Sequence, residues 1–167
     1  MKRVLFIGRF QPFHNAHLAD IKNILKEGNF VVIGIGSSQE FGTANNPFSC
    51  NERKKMISSA LKEEKIKNYS IHQVPDLYDD VKWAGHIKKN LPKADFFYSG
   101  NLWTLRCLGK HGCRAKKIKI IRGISSTKIR KMIAGGKNWE NLVPKSVADY
   151  IKKINGVERI RRIYAKK

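Results

Sequence analysis

The order of apolar and polar positions along this chain is typical of an α/β protein. Two continuous apolar runs, over residues 2–7 and 30–36, predict parallel strands that are buried on both faces. Between them, apolar residues at helical spacing predict a helix over 15–27, with Gly28 at its C-terminus. Three more strands are predicted over 69–74, 95–99 and 116–121. Strands that alternate with helices predict a doubly wound parallel sheet of about five strands, with helices on both faces.

Start and stop signals place the remaining helices. Ser49 and Glu52 have the spacing of a capping box, which predicts a helix that runs to about residue 64. Pro144 suits the first residue of a helix through 154, and Gly156 is predicted to end it. Further helices are predicted over 81–91, 102–108, 125–133 and 157–164. The length favours a single domain over 1–167, with a sheet core over 1–122 and a helical C-terminal part over 123–167.

The turn after the first strand has the features of a phosphate site. Residues 8–18 read GRFQPFHNAHL, so a glycine turn leads directly into a helix. Backbone N–H groups and the positive end of a helix dipole favour anions at such a point. His14 and His17, three residues apart, share one helical face, and Arg9 stands upstream. The alternative interpretation is a structural turn with two surface histidines.

A second segment has a similar character. Residues 124–130 read ISSTKIR, in which Ser125 or Ser126 caps a helix and Arg130 lies one turn in. The planar guanidinium offers phosphate oxygens a fork of donors. By itself this pattern is also a common helix cap. The first and second motifs and the loops after strands two and four all follow predicted strands, so they are expected at one edge of the sheet.

The charge is strongly positive. The chain has 34 Lys and Arg against 13 Asp and Glu, for a net charge of +21. No carboxylate occurs from Phe96 to Trp139, and that window holds eleven basic residues: Arg106, Lys110, Arg114, Lys116, Lys117, Lys119, Arg122, Lys128, Arg130, Lys131 and Lys137. The excess predicts anionic partners, including non-specific binding to polyanions, although a solvated basic face is the alternative.

Several classes of protein are disfavoured. No apolar run is long enough for a membrane span, and the run that ends at Ile7 is too short for a signal peptide, so we expect a cytoplasmic protein. Three cysteines argue against a disulfide framework. Cys107, His111 and Cys113 provide only three metal ligands without a C-x-x-C knuckle, so no metal site is assigned. A dinucleotide fingerprint fails at Gln39, and no P-loop sequence occurs.

The motifs together resemble one family. The segments that carry the resemblance are GRFQPFH-x-x-HL, ISSTKIR, Asn-Pro-Phe at 46–48 before Glu52-Arg53, Tyr-Ser-Gly-Asn at 98–101, and Ile-Asn-Gly-Val-Glu-Arg at 154–159. They resemble the archaeal-type nicotinamide-nucleotide adenylyltransferases of the nucleotidylyltransferase superfamily. The resemblance implies a Rossmann-like domain that joins nicotinamide mononucleotide to the AMP moiety of ATP and releases pyrophosphate. It also implies Mg²⁺ and a homohexamer.

The resemblance further implies which residues act. His14, His17 and Arg130 match catalytic residues. The residues that match the ATP and phosphate site are Gly8, Arg9, Phe10, Ser125, Ser126, Thr127 and Arg130. Trp83, Ser37 and Asn101 are expected to bind the nicotinamide nucleotide, with Trp83 against the ring, although a tryptophan on a helix is more commonly a core residue. No residue is expected to bind a metal, because the cation would come with ATP.

Three positions depart from the family pattern. Ala16 and Ser126 stand where glycine is frequent, and Asn45 stands where some relatives carry an arginine. The sequence therefore does not identify the residue that holds the mononucleotide phosphate. Phosphopantetheine or FMN remains as an alternative acceptor, although phosphopantetheine enzymes typically carry threonine at the position of His14. The alternative from another class of protein is a basic nucleic-acid-binding protein, although the sequence contains no recognisable nucleic-acid-binding motif.

Overall fold

The computed structural model describes residues 1–118 and 123–166. Five parallel strands form one sheet: β1 (Arg3–Gly8), β2 (Phe30–Ile35), β3 (Tyr69–Gln73), β4 (Phe96–Ser99) and β5 (Ala115–Lys117). Their order is β3-β2-β1-β4-β5, which confirms the doubly wound parallel sheet. Strand β5 begins one residue before the predicted start, and the predicted residues 119–121 lie outside the described part.

The chain divides into two compact units that interleave along the sequence. Unit 1 comprises Met1–Gly8, Asp20–Ser38 and the described part of Asn68–Ile120, and unit 2 comprises Arg9–Ala19, Gln39–Lys67 and the described part of Ile121–Lys167. Helix α1 (Asn15–Lys26) has residues in both units. The single domain over 1–167, with its sheet core at 1–122 and helical part at 123–167, stays a prediction.

Unit 1 contains the sheet with helices α3 (Asp80–Asn90) and α4 (Leu102–Lys110). Every residue from Val4 to Ile7 is buried, so the apolar run of β1 is covered on both faces of the sheet. Leu5 and Ile7 pack in one cluster with residues of α3 and α4, among them Trp83. Burial on both faces explains why this strand reads as continuously apolar.

Unit 2 is helical. It contains α2 (Cys50–Glu63), α5 (Ser126–Ala134), a 3₁₀ turn (Glu140–Leu142), α6 (Lys145–Lys153) and α7 (Gly156–Ala165). The capping box of α2 is confirmed: the Ser49 side chain accepts from the Glu52 N–H, and the Ser49 N–H donates to Glu52 Oε2 at 2.8 Å. The described residues include no helix of the length and apolarity that a membrane span needs.

Two predicted helix boundaries in unit 2 are wrong. Pro144 is the N-terminal cap of α6 and not its first residue. Gly156 opens α7 and does not end α6; the chain turns at Asn155, which has a left-handed backbone with φ of 53°. Asparagine tolerates that conformation better than most residues. Gly156 is required for space, because a Cβ there would lie 2.9 Å from both Ile151 O and Phe48 Cε1.

Candidate active site

The turn that follows β1 is held by buried side chains of unit 2. Gln11 pairs with the Phe48 backbone in both directions: its Nε2 donates to Phe48 O at 2.8 Å, and its Oε1 accepts from Phe48 N at 3.0 Å. Arg53, which is fully buried, donates from Nη1 to Arg9 O at 2.9 Å and from Nε to Ser49 O at 3.2 Å. These bonds define the backbone from Arg9 to Gln11 before any ligand binds.

The two histidines of the first motif form a stacked pair. Their ring centroids are 3.5 Å apart and the planes differ by 16°. The His14 N–H donates to His17 Nδ1 at 3.3 Å, as the backbone of a cap residue donates to the third helical residue in a capping box. Because His17 Nδ1 accepts, the neutral ring carries its proton on Nε2. That nitrogen is therefore a donor.

Aromatic side chains confine His17. The Phe10 ring meets it edge-on at a centroid distance of 4.8 Å, and the Phe13 ring stacks beside it at 5.6 Å. Phe10 is buried and has a left-handed backbone with φ of 53°. Phe10, which was predicted to lie in the phosphate site, thus packs against His17 and orients the imidazole ring.

Both histidines are neutral at physiological pH. Burial lowers the pKa of His14 to about 4. Burial also lowers the pKa of His17 well below its usual value, and the neighbouring His14 lowers it further. His14 Nδ1 is buried and has no hydrogen-bond partner among the described residues. The pair therefore offers polar ring nitrogens in a partly dry setting, without a fixed positive charge.

Arg130 joins the two motifs within unit 2. Its side chain is buried, and it donates from Nη1 to Gln11 O at 2.8 Å and from Nε to Ala44 O at 2.9 Å. A longer bond of 3.3 Å runs from Nη2 to Thr127 Oγ1. A guanidinium has five N–H donors, so these three bonds and a side-chain hydrogen bond with Tyr164 leave one for an anion. Arg130 is at once a structural link and a candidate phosphate ligand.

The N-terminus of α5 is tied to the first motif as well. Ser125 is the N-cap, and its Oγ accepts from Lys128 N at 3.2 Å. Ser126 donates from Oγ to Pro12 O at 3.0 Å. The hydroxyl hydrogens of a capping serine and the first N–H groups of a helix are the usual ligands of phosphate. Here one of those hydroxyls holds the first motif in place.

Unit 1 contains the carboxyl ends of β1 and β4. Ile7 and Ser99 are paired across these strands, and Ser99 Oγ donates to Ile7 O at 3.1 Å. Asn101 follows as the N-cap of α4, and its Oδ1 accepts from Trp103 N at 2.8 Å. Ser37, which is buried, stands after β2 with φ of 48°. The N–H of its neighbour Gly36 donates to Gly8 O at 2.9 Å.

Trp83 belongs to the core of unit 1. It is 3% exposed, in the cluster that α3 and α4 form with the sheet. Its ring centroid lies 5.0 Å from that of Trp103, which is 46% exposed. Because Trp83 is buried, neither face of its indole is open to a ligand in this arrangement. Its contact with a nicotinamide ring therefore stays a prediction.

The predicted residues thus divide between the units. Unit 2 brings together the first and second motifs, and unit 1 holds Gly8, Ser37, Trp83 and Asn101. Sequence reasoning missed Gln11, although it lies inside the first motif. Arg53 was noted in the sequence only as part of a segment that carries the family resemblance. The sequence carries no signal for this role of Arg53, since its burial appears only in the structure.

Other titratable groups do not form a metal centre. Among residues 1–118 and 123–166, no three His, Cys, Asp or Glu side chains are grouped so that they could hold a metal ion. Cys107 donates from Sγ to Asp80 O at 3.3 Å, and burial raises the pKa of its thiol. All three cysteines are free thiols. Burial raises the pKa of Asp20 to about 6.

Comparison with known proteins places this arrangement in a family. Residues 5–132 match the family model described as cytidylyltransferase-like. The chain is 38% identical to the nicotinamide-nucleotide adenylyltransferase of Thermoplasma acidophilum over 164 residues, which are 97% of this chain and 92% of the relative. It is 39% identical to the protein of the same name from Methanolobus tindarius, covering 98% of this chain and 95% of the relative.

A solved structure agrees with the fold. It is a bifunctional NMN adenylyltransferase/ADP ribose pyrophosphatase from Francisella tularensis, complexed with AMP and a manganese ion. The TM-score is 0.76 and the identity 26%, over 99% of this chain and 52% of that protein, so the chain spans about half the length of that structure. On the full-length matches, the chain belongs to the nicotinamide-nucleotide adenylyltransferases, a family of enzymes within the cytidylyltransferase-like group.

Proposed function

We propose that this enzyme transfers the adenylyl group of ATP to nicotinamide mononucleotide. A phosphate oxygen of the mononucleotide attacks the α-phosphorus of ATP in line. The bond from that phosphorus to the bridging oxygen breaks, NAD forms, and pyrophosphate leaves. The attacking phosphate is already ionised at neutral pH, so the reaction needs no strong general base. Catalysis then rests on positioning and on stabilisation of developing charge.

The observation that carries the proposal is the link between the two motifs in unit 2. Arg130 and Ser126 bond to the backbone carbonyls of Gln11 and Pro12. Each motif places the N-terminus of a helix, of the kind that binds phosphate, in this one compact unit. Together the two N-termini offer a polyphosphate two sets of backbone N–H donors. The remaining N–H of Arg130 and the side chain of Arg9 are proposed to neutralise the β- and γ-phosphates.

The histidines supply hydrogen bonds to this site. His17 Nε2–H is proposed to donate to an oxygen of the α- or β-phosphate, and His14 is proposed to do so through the ring nitrogen that carries its proton. Because neutral rings attract the phosphates of bound ATP less than imidazolium ions would, more of their effect is available as charge grows on the bridging oxygen. The walls formed by Phe10 and Phe13 hold the His17 ring for that contact.

The mononucleotide is proposed to bind through groups of unit 1. Ser37 and Asn101 follow the carboxyl ends of β2 and β4, where ligands of doubly wound sheets bind. Trp83 is proposed to contact the nicotinamide ring. Position 45, where some relatives carry an arginine, holds the exposed and uncharged Asn45 in this chain. A basic residue at another position is therefore required to bind the mononucleotide phosphate.

The divalent cation is proposed to enter with ATP as part of the substrate. The described residues offer no cluster of three metal ligands, and the similar Francisella structure is complexed with AMP and a manganese ion. Mg²⁺ is the expected cation, since it retains waters and binds through substrate phosphates.

A cytoplasmic location is proposed from the free thiols, and a homohexamer from the family resemblance. Light scattering on purified protein tests the oligomeric state.

The experiment that tests the function is product analysis with ATP, Mg²⁺ and nicotinamide mononucleotide. Nicotinate mononucleotide, phosphopantetheine and FMN are run in parallel, with His17→Ala as the site control. We expect NAD and pyrophosphate from the wild type and a large loss in the variant. Turnover of phosphopantetheine or FMN in the absence of NAD formation would assign another acceptor. Turnover that His17→Ala leaves intact would remove the histidine pair from the mechanism.

The charge supports a second, separate property. With a net charge of +21, the chain is proposed to bind polyanions without sequence preference. Arg106 and Lys110 are exposed on α4, whereas Lys119 and Arg122 lie outside the described residues. Such binding should weaken steeply as salt increases. Retention on heparin at 50 mM salt and release by 500 mM, with NAD formation nearly unchanged, would separate the two properties.

A further inference from the structure

Two segments that carry the family resemblance meet within unit 2, and the proposed mechanism assigns their contact no role. One segment is residues 46–53, and the other is the start of α7. Arg159 of α7 joins them, because its Nη1 donates to Glu52 Oε2 at 2.7 Å and to Pro47 O at 3.3 Å. Its Nη2 donates to Ile154 O at 3.4 Å. One guanidinium therefore bonds to three separate places in unit 2.

The Phe48 side chain is enclosed at the same contact. Phe48 is fully buried, and the guanidinium carbon of Arg159 lies 5.9 Å from its ring centroid. The ring also packs so closely on the start of α7 that a Cβ at Gly156 would lie 2.9 Å from it. The backbone of Phe48 is bonded in both directions by the Gln11 amide. Phe48 thus has its ring against α7 and its backbone against the turn that follows β1.

The first turn of α2 makes a second connection. Glu52 Oε2 accepts from Ser49 N at 2.8 Å as well as from Arg159, so the capping box and the ion pair share one carboxylate oxygen. The ion pair is partly shielded from water, with side-chain exposures of 31% for Arg159 and 19% for Glu52. The next residue, Arg53, donates to Arg9 O at 2.9 Å. A shift of this helical turn is therefore transmitted to the backbone of Arg9.

We propose that Arg159 is a positioning residue for adenylyl transfer, and that it acts through Glu52 and Phe48 on the turn that carries Arg9 and Gln11. The proposal rests on the proposed function. Arg159 contacts no reacting atom in this role; it fixes where the backbone of that turn lies. A displacement of about 1 Å at such a place costs about 10²-fold in rate. The ground-state complex with ATP tolerates a small shift better than the in-line transition state does, so the effect should fall on kcat.

The conservative variant separates geometry from charge. Arg159→Lys keeps a positive charge for Glu52, but one ammonium group cannot span Glu52, Pro47 and Ile154 as the planar guanidinium does. We expect Arg159→Ala to lower kcat by about 10- to 100-fold and to change the Kd for ATP by less than about threefold. Arg159→Lys should lie between Arg159→Ala and the wild type. Arg162→Ala removes the same charge from an exposed position of α7 and should leave kcat and Kd unchanged.

A second control distinguishes positioning from a general loss of stability. Val147→Ala truncates a fully buried side chain of α6, so it should lower the Tm without a large effect on kcat. All rates are measured well below the Tm of every variant, which circular dichroism provides. The proposal would be overturned if Val147→Ala lost as much kcat as Arg159→Ala does. It would also be overturned if Arg159→Ala lost stability but kept the wild-type kcat.

A double-mutant cycle tests the connection through Glu52. Glu52→Gln preserves the capping box but removes the negative charge that faces Arg159. It should lower kcat in the wild-type background and have no further effect in the Arg159→Ala background, because the partner is then already absent. An equal loss in both backgrounds would overturn this connection. If the wild type forms NAD and Arg159→Ala matches its kcat, this inference fails and the proposed function stands; if the wild type forms no NAD, both fail.

Discussion

The imidazole rings of His14 and His17 lie face to face, 3.5 Å apart between centroids and 16° from parallel. Two cations cannot occupy that geometry at acceptable cost, because like charges at such a separation repel strongly in a partly buried setting. The pair is therefore built to stay neutral until an anion arrives. A bound polyphosphate would raise both pKa values and strengthen the hydrogen bonds that the rings donate.

The neutral pair makes stability depend on pH. The unfolded chain protonates both histidines near pH 6.5, but the folded chain does not protonate His14 until about pH 4, and it protonates His17 only well below pH 6.5. The unfolded state then binds more protons, so stability is complete above pH 6.5 and is lost on acidification, by about 1.4 kcal/mol per pH unit for each proton.

Asp20 opposes part of this loss. Its folded pKa is raised from 3.8 to about 6, so the folded state binds the extra proton between those values and gains stability on acidification. Because two histidines act against one aspartate, a net loss of stability remains between pH 6 and 4. Urea titrations should show this loss, steeper in Asp20→Asn and shallower in His14→Gln. Stability that is flat from pH 6.5 to 4 would contradict it.

His17→Ala should reduce turnover far more than it reduces affinity for ATP. The lost donor acts on charge that grows only in the transition state, so we expect a fall in kcat of about 10²- to 10³-fold. The dissociation constant for ATP should change by less than tenfold. Equilibrium binding and steady-state rates are the two measurements. His86→Ala, on the surface of α3, is the control, and equal losses in binding and turnover would argue against a transition-state role.

Arg130→Lys should destabilise the enzyme as well as weaken ATP binding. Lysine has a single donor group and cannot reach Ala44 O, Gln11 O and Thr127 Oγ1 together, so buried carbonyls lose their partners. We expect a loss of about 2–4 kcal/mol in the free energy of unfolding. Arg162→Lys, an exposed position of α7, should be neutral. A variant with normal stability and only a raised KM for ATP would show that Arg130 serves the ligand alone.

Gly156→Ala should destabilise unit 2. The new methyl group would lie 2.9 Å from Ile151 O and from the Phe48 ring, so the start of α7 must shift, at a cost of about 1–3 kcal/mol. Gly85→Ala is the matched control, because nothing lies within 4 Å of its Cβ position inside α3. That variant should gain about 0.5–1 kcal/mol from helix propensity. Thermal unfolding of both variants gives the comparison, and equal effects would contradict the steric argument.

Removal of the divalent cation should abolish turnover and leave the apoprotein unchanged. In the described part of the chain no group of three His, Cys, Asp or Glu side chains could hold a metal ion, so we expect no effect of chelation on the fold. We expect EDTA to stop NAD formation without a shift in Tm. Mg²⁺ should restore the rate in proportion to the MgATP complex. A drop in Tm on treatment with EDTA, reversed by Mg²⁺, would reveal a resident metal.

The sequence alone determined the elements and the family. Every predicted strand and helix is present, and most boundaries agree within two residues because apolar periodicity, the Ser49 capping box and Gly28 act locally. The family followed from spaced motifs, which need no coordinates. Gly156 was placed wrongly because its position depends on a neighbour distant in sequence: a Cβ at Gly156 would meet the Phe48 ring.

Only the tertiary structure decided how the motif residues are used. Gln11, Arg53 and Arg130 direct their donors to carbonyls that lie 37 to 119 positions away in the sequence; the Arg53 partner is 44 positions away. Likewise, the different exposures of Trp83 and Trp103 could not be predicted from the sequence. Exposure is a property of packing: one indole fills the core, and the other, twenty positions later, covers it and faces solvent.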